Sequence, residues 1–263
     1  MEIQQFAPDV YLAIGESYRS NSTIFINDDE VLLVDALASQ SDAEALRDFV
    51  VNGLRKHVRM ILCTHYFSDH LAALKIFPKS QIIAHKNYRY TFDSERYRSE
   101  DERAHFVEPD LIVSDELQLK WGRYTLDIFH NPGHTMSTLA IDVPEADLIF
   151  VGDTIVGNLV YIMYTTPQMF FTALERIRRR GRSKLLSSHM SVRSSEALDH
   201  ATHYLKELEK RVLEAKREGN GDEAIRSIVL DECLAPGLKG SAFENIFHKR
   251  NLESIVERNL WAV

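Results

Sequence analysis

Short apolar runs that stop at a histidine or an aspartate recur along this chain, and they restrict its fold more than any other feature. One reads RMILCTHYFSDH over residues 59–70; the others lead into NPGHTMST at 131–138, end LIFVGDT at Asp153 and Thr154, and close KLLSSH at His189. A bounded apolar run of this length reads as a buried strand. Loops at the ends of strands on a rigid sheet can aim polar groups at a common point. The chain therefore needs strands whose ends gather at one sheet edge.

The rest of the pattern alternates strands with helices, without repeats or low-complexity stretches. Val10 to Ile14, Ser22 to Asn27 and Val31 to Asp35 read as strands, with Asn27-Asp28-Asp29 as a hairpin turn between the last two. Ser41 and Glu44 form an expected capping box, followed by an apolar face of Ala43, Leu46, Phe49, Val50 and Leu54 on a helix ending near Gly53. Arg59 to Cys63 reads as a buried strand, Asp69 to Phe77 as a helix stopped by Pro78, and Gln81 to Ala84 as a further strand. Strands follow near Glu116 to Trp121, Tyr124 to His130, Thr138 to Asp142, Asp147 to Val151 and Lys184 to Ser188. Between the last two, Thr166 caps a helix with Pro167 at its first position. From Ser194 the pattern is helical. Two mixed β/α halves, residues 1–193, are thus expected to pack as one α/β sandwich domain, with residues 194–263 as a helical C-terminal extension on it.

Composition narrows the partners. A net charge of -8 argues against a general nucleic-acid or anionic-membrane binder. No stretch approaches the ~18 apolar residues of a membrane span. The start, Met1 to Gln5, has no basic region followed by an apolar run, and the two cysteines, Cys63 and Cys233, are far apart. A cytoplasmic protein acting on a small molecule is the expectation, with Cys63 as a small buried residue.

Imidazoles and carboxylates at strand ends suit zinc, iron or manganese. The candidates are His65, Asp69, His70, His134, Asp153 and His189. Each alone also fits a capping or core hydrogen-bonding role. Their order is more specific: His65-Tyr66-Phe67-Ser68-Asp69-His70, then Gly133-His134-Thr135, Gly152-Asp153-Thr154 and Ser188-His189, with Asp35 in VLLVDA. Over roughly residues 10–192 the chain resembles the metallo-β-lactamase superfamily, whose motif is H-x-H-x-D-H followed by a G-H-[ST] histidine, a G-D-[ST] aspartate and a late histidine.

That resemblance implies a four-layer αββα sandwich with a two-metal centre at the sheet edge. It places His65, His134 and the residue that is here Phe67 on one metal, Asp69, His70 and His189 on the other, and Asp153 between them. Phenylalanine donates nothing, so the first half keeps two histidines and a shared carboxylate. One firmly held ion, or two with the second weak, is the expected load. Tyr66, Ser68, His85, His105 and His130 are the nearby replacements to consider, each with a structural role as the plainer reading. Flavodiiron-like members carry Glu at the position of Phe67, so a redox diiron centre fits less well. The resemblance implies a metal-dependent hydrolase of esters, thioesters, lactones or related bonds, with Asp69, His65 and His134 as catalytic candidates. A catalytically silent relative that binds a ligand or partner is the alternative.

Recognition is less legible. The segment from His85 to Phe106 interleaves aromatics with Arg89, Arg96, Arg98 and Arg103, which suits either a pocket wall or an amphipathic surface helix. Tyr161, Met163 and Tyr164 suit a wall or the core. The six basic residues from Arg176 to Lys184 read as a helix C-terminus rather than a phosphate site. His200 and His203 share a helix face and are expected to be exposed rather than metal ligands. Helices over Asp222 to Cys233 and Ser241 to Trp261 carry apolar stripes, Phe243, Ile246 and Phe247 among them, that cover the domain, shape its pocket or join a homo-oligomer.

Overall fold

The structure, a computed structural model, describes residues 1–218 and 221–261; residues 219, 220, 262 and 263 of the expected extension lie outside the described residues. Thirteen strands form two sheets among the described residues. The first runs in chain order through β1 (Glu2–Ala7), β2 (Val10–Ile14), β3 (Asn21–Asn27), β4 (Glu30–Val34), β5 (His57–Leu62), β6 (Gln81–His85) and β7 (Leu111–Val113). Its first four strands are antiparallel neighbours and the last four parallel. The second holds β8 (Glu116–Trp121), β9 (Tyr124–His130), β10 (Leu139–Val143), β11 (Leu148–Gly152), β12 (Lys184–Ser187) and β13 (Arg193–Ser194), antiparallel except for β11 beside β12.

Alternation along the strands separates the layers. In β2, Leu12 and Ile14 meet Leu126, Ile141 and Phe150 between the sheets, whereas Ala13 turns outward to the helical layer. That outer layer includes Ala43, Leu46 and Val50 of α1 (Gln40–Arg47) and the π-helical turn Asp48–Gly53 that continues it. On the other side, α4 (Pro167–Arg180), α5 (Glu196–Arg217) and α8 (Ala242–Glu257) cover the second sheet through Phe170, Leu205 and Ile255. The order helix, sheet, sheet, helix is the expected αββα sandwich. Short helices complete it: α2 (Tyr88–Ser94), α3 (Glu100–Arg103), α6 (Gly221–Arg226) and α7 (Leu230–Cys233). Among the described residues no helix is long and apolar enough to cross a membrane.

Several local expectations change. The helix expected over Asp69 to Phe77 is two 3-10 turns, Ser68–His70 and Ala72–Leu74. Its N–H groups go elsewhere: Ala72 N donates to Leu37 O, Ala73 N to Ala36 O, and Ala36 N in turn to His70 O. With Leu71 to Leu74 all buried, no face remains for solvent, and long-range pairing replaces the helical ladder. The cap of α1 is Ser39, not Ser41, because Asp42 N donates to Ser39 Oγ and the Asp42 carboxylate receives Glu16 N and Ser17 N. Strands β1, β7 and β13, short or poorly alternating, had no sequence signal. The helix expected over Asp222 to Cys233 is broken by extended backbone at Val229.

The basic run behaves structurally. Arg178 pairs with Asp199, Arg179 with Glu175, and Arg180 and Arg182 with Asp142, before Gly181 ends α4 at a φ of 67°. Cys63 is buried, and burial raises its thiol pKa well above the usual value.

Candidate metal centre

All six sequence candidates converge at one edge of the sandwich. His65 to His70 follow β5, His134 follows β9, Asp153 follows β11 and His189 follows β12. They form two groups, His65 with His134 and Asp153, and Asp69 with His70 and His189, each with its donor atoms within 4.8 Å of one another. Asp153 lies between them, because its Oδ2 is 2.9 Å from His189 Nε2 and 3.7 Å from His70 Nε2. Asp69 Oδ1 is 3.3 Å from His70 Nε2, and its Oδ2 is 3.7 Å from His189 Nε2.

A buried hydroxyl and backbone carbonyls orient the imidazoles. Thr64 Oγ1 donates to Asp35 Oδ2 and so accepts from His65 Nδ1 at 3.1 Å; His189 Nδ1 donates to Tyr18 O at 2.9 Å, and His134 Nδ1 lies 3.4 Å from Tyr161 O. Nδ1 donation leaves the Nε2 lone pair of His65 and His134 open, whereas His189 Nε2 faces Asp153 Oδ2 at 2.9 Å and would offer its lone pair once an ion replaces its proton. Asp35 ties the ends of β4, β5 and β12 together, accepting from Thr64 N, Thr64 Oγ1 and Ser188 Oγ at 2.7, 2.8 and 2.6 Å.

The fit to a metal ion rests on what these donors lack. His65 Nε2, His134 Nε2, both nitrogens of His70 and Asp153 Oδ1 are buried without a hydrogen-bond partner. Buried polar atoms are nearly always satisfied, so five in one cluster point to an ion. The mixed imidazole and carboxylate set suits zinc, iron or manganese. Electrostatics divide the cluster. Burial opposes charge on His70, yet Asp69 and Asp153 override it and push its pKa up to about 10; His189 is raised, against its own burial, chiefly by Asp153. Burial and then the neighbouring His70 hold His65 well below its ordinary value, and burial lowers His134 despite Asp153. The carboxylates of Asp69 and Asp153 thus favour positive charge at His70 and His189, whereas burial keeps His65 and His134 neutral.

Phe67 is buried in the cluster, its ring centroid 5.4 Å from His65, 5.2 Å from His134 and 4.7 Å from Tyr164. None of the considered histidines joins either donor group among the described residues, and Tyr66 and Ser68 are bonded elsewhere. Tyr66 donates to Val107 O, Ser68 Oγ to Glu95, His105 Nδ1 to Ser68 O, His85 Nε2 to Ser114 O and His130 Nε2 to Met136 O. His200 and His203 are half-buried rather than exposed, and they join no such group among the described residues.

His85 and His130 stack at 3.9 Å, and burial, followed for His85 by the neighbouring His130, lowers His85 to about 4. An unfolded histidine titrates near ~6.5, so this pair's contribution is complete above that pH and is lost as pH falls toward 4. Urea denaturation at pH 7.5 and pH 5 should show a loss of stability in the wild type that is smaller in His85→Asn.

A cleft of about 190 Å3 opens above the cluster, lined by Phe67, Asp69, His134 and Asp153 and walled by Tyr161 and Tyr164. Met163 is not in that lining; it is buried and accepts from the Tyr161 hydroxyl. Glu95 and Tyr97 from the aromatic and basic segment also line it, which supports the pocket reading for those residues. Burial and then Asp69 push Glu95 up to about 7 although it accepts from Ser68 N and Ser68 Oγ. Tyr18, Glu102 and Arg250 were missed from the sequence. For Arg250 the signal existed: it continues the Phe243, Ile246, Phe247 stripe at helical spacing.

Comparison with known proteins agrees with this geometry. The family model of the metallo-beta-lactamase superfamily matches residues 17–203. A hydroxyacylglutathione hydrolase of Bartonella henselae is 25% identical over 156 residues, which are 57% of this chain and 56% of that protein. The structure of the stereoselective inverting sec-alkylsulfatase Pisa1 from Pseudomonas sp. aligns with a TM-score of 0.76 at 14% identity, over 99% of this chain and 50% of that one. A metallo-beta-lactamase from Pontibacter korlensis gives 0.62 at 14% identity, over 75% of this chain and 95% of its own. The chain spans about half the length of the Bartonella and Pseudomonas proteins. With two facing sheets, donors at their shared edge and a family match over most of its length, the chain belongs to the metallo-β-lactamase superfamily.

Proposed function

We propose that this protein is a metal-dependent hydrolase of a small-molecule ester, thioester, lactone or related bond, holding one ion firmly on Asp69, His70 and His189 with Asp153 alongside. The observation that carries this reading is the set of buried, partnerless donor atoms converging below an open cleft. The likeness to a hydroxyacylglutathione hydrolase supports a thioester among the candidate bonds. When bound, a divalent ion supplies Lewis acidity and a lowered pKa for water.

The residues divide the remaining work. Asp69 is the most open of the acids in the cluster and lines the cleft, where it can accept a hydrogen bond from the attacking water. His134 also lines the cleft, and its Nε2, which has no hydrogen-bond partner, can take a proton while Nδ1 donates to Tyr161 O. His65 Nε2 lies beside it, the rings 5.0 Å apart, and can share that role. Phe67 and Tyr164 keep this side of the cleft apolar, which strengthens the electrostatic interactions within it.

Metal analysis of the purified chain tests the proposal. About one zinc, iron or manganese ion per chain is expected, and Phe67→His should raise the content toward two because residue 67 already faces His65 and His134. A stable wild-type protein that takes up no metal sinks the reading and leaves the silent binder. A panel of esters, thioesters, lactones, phosphodiesters and alkyl sulfates then identifies the bond.

A further inference from the structure

One wall of the cleft comes from a single helix. Phe243, Ile246, Phe247 and Arg250 follow the i, i+3, i+4, i+7 spacing of one stripe on α8, and all four line the cleft. Other residues of α8, with Arg258 just beyond it, fasten the opposite wall. Glu244 Oε1 accepts from Asn158 N at 2.7 Å; Asn251 accepts from Ile162 N and donates to Val160 O, both at 2.7 Å; Arg258 donates to Met163 O and Thr165 O. These bonds fix the helix against the segment that carries Tyr161 and Tyr164. The wall is rigid as well as apolar.

Arg250 ends the stripe. Its guanidinium lies 4.1 Å from the Tyr97 ring centroid and 5.8 Å from that of Phe247. No carboxylate lies within ion-pair distance of it among the described residues; those ion pairs involve other cations. The four acids that share the cleft are engaged: Glu95 with Ser68 and Arg98, Glu102 with Ser99 N, and Asp69 and Asp153 in the two donor groups. A guanidinium held between aromatic faces, with donors left over, is preorganised to bind an anion. The cleft's volume, about 190 Å3, is below the ~300 Å3 typical of drug-sized ligand sites, which suits a small substrate.

We propose that Arg250 is the specificity-determining anchor of the substrate site and that the preferred substrate is a small ester or thioester with an apolar body and an anionic substituent, such as a carboxylate, away from the scissile bond. The apolar body lies along Phe243, Phe247 and Tyr161, and the anion meets Arg250. The ester or thioester part rests on the hydrolase reading; the anion anchor does not.

Two measurements on the metal-loaded protein test this. The first compares the S-phenyl thioester of glutaric acid, which carries one free carboxylate, with its neutral methyl ester. The wild type should favour the acid by about tenfold in kcat/KM, mainly through KM, as expected for a partly exposed charge-assisted contact. Arg250→Met should bring that preference close to one, and Arg250→Lys should restore part of it. The second titrates phenylacetate into wild type and Arg250→Met by calorimetry; binding should be at least about tenfold weaker in the variant. Equal turnover of the two thioesters by wild type, or an equal loss on both in Arg250→Met, overturns the anchor while leaving the hydrolase. Arg250-dependent binding of phenylacetate without cleavage of either thioester upholds the anchor and removes the thioester from the candidate bonds. Equal binding by the two proteins without cleavage overturns both.

Discussion

Replacing His189 with alanine should reduce bound metal from about one ion per chain to nearly none and hydrolysis by more than ~100-fold. Removing a group that only orients a ligand costs ~10–100-fold in affinity or activity, and His189 belongs to the donor group itself. Its Nδ1 is held by Tyr18 O and its Nε2 faces Asp153 and Asp69, and among the described residues its donor group holds only Asp69 and His70 besides. Asp69→Ala should behave alike, as the other open side of the same group. His85→Asn, outside both groups, should retain its metal. Metal content by mass spectrometry, with circular dichroism to verify folding, checks the set; a fully loaded His189→Ala would move the firm site elsewhere.

Asp35→Ala should cost about 3 kcal/mol of folding stability, enough to weaken metal uptake as well. The residue follows β4 in a left-handed conformation, φ 59°, and its carboxylate receives three hydrogen bonds from Thr64 and Ser188. Burial raises its pKa, while His70 and those donors oppose the rise. Alanine leaves the backbone N–H beside His65 and one of the two hydroxyls without an acceptor, because Thr64 Oγ1 and Ser188 Oγ, 3.0 Å apart, can pair only once with each other. The substitution Asp35→Asn turns an NH2 group toward one of those donors, so it should also destabilise. Urea denaturation of metal-free protein measures the effect; a loss below ~1 kcal/mol in the alanine variant would show that water or a rearranged Thr64 replaces the carboxylate.

How far the sequence carried depended on the range of the interactions. The hairpin at Asp28, the cap at Thr166 and the strands leading to His65, Asp153 and His189 are set by neighbours in the chain, and they stand where the pattern placed them. The supposed helix after Asp69 failed because its N–H groups pair with residues 36 and 37. The supposed cap at Ser41 failed because Asp42 turns toward Glu16 and Ser17. Neither partner is visible in a local window.

The candidate centre shows the same division. Order and spacing singled out six donors, because short motifs at strand ends are written contiguously, and the family resemblance marked the gap at Phe67. The family resemblance implied the division into two groups; only the tertiary structure decided that Tyr18 and Thr64 orient the imidazoles and that Arg250 of α8 reaches the same cleft. Tyr18 lies 171 residues from His189. The physical reason is that local sequence sets which face of a strand or helix a side chain occupies, whereas the packing of two sheets and their helices sets what that face meets.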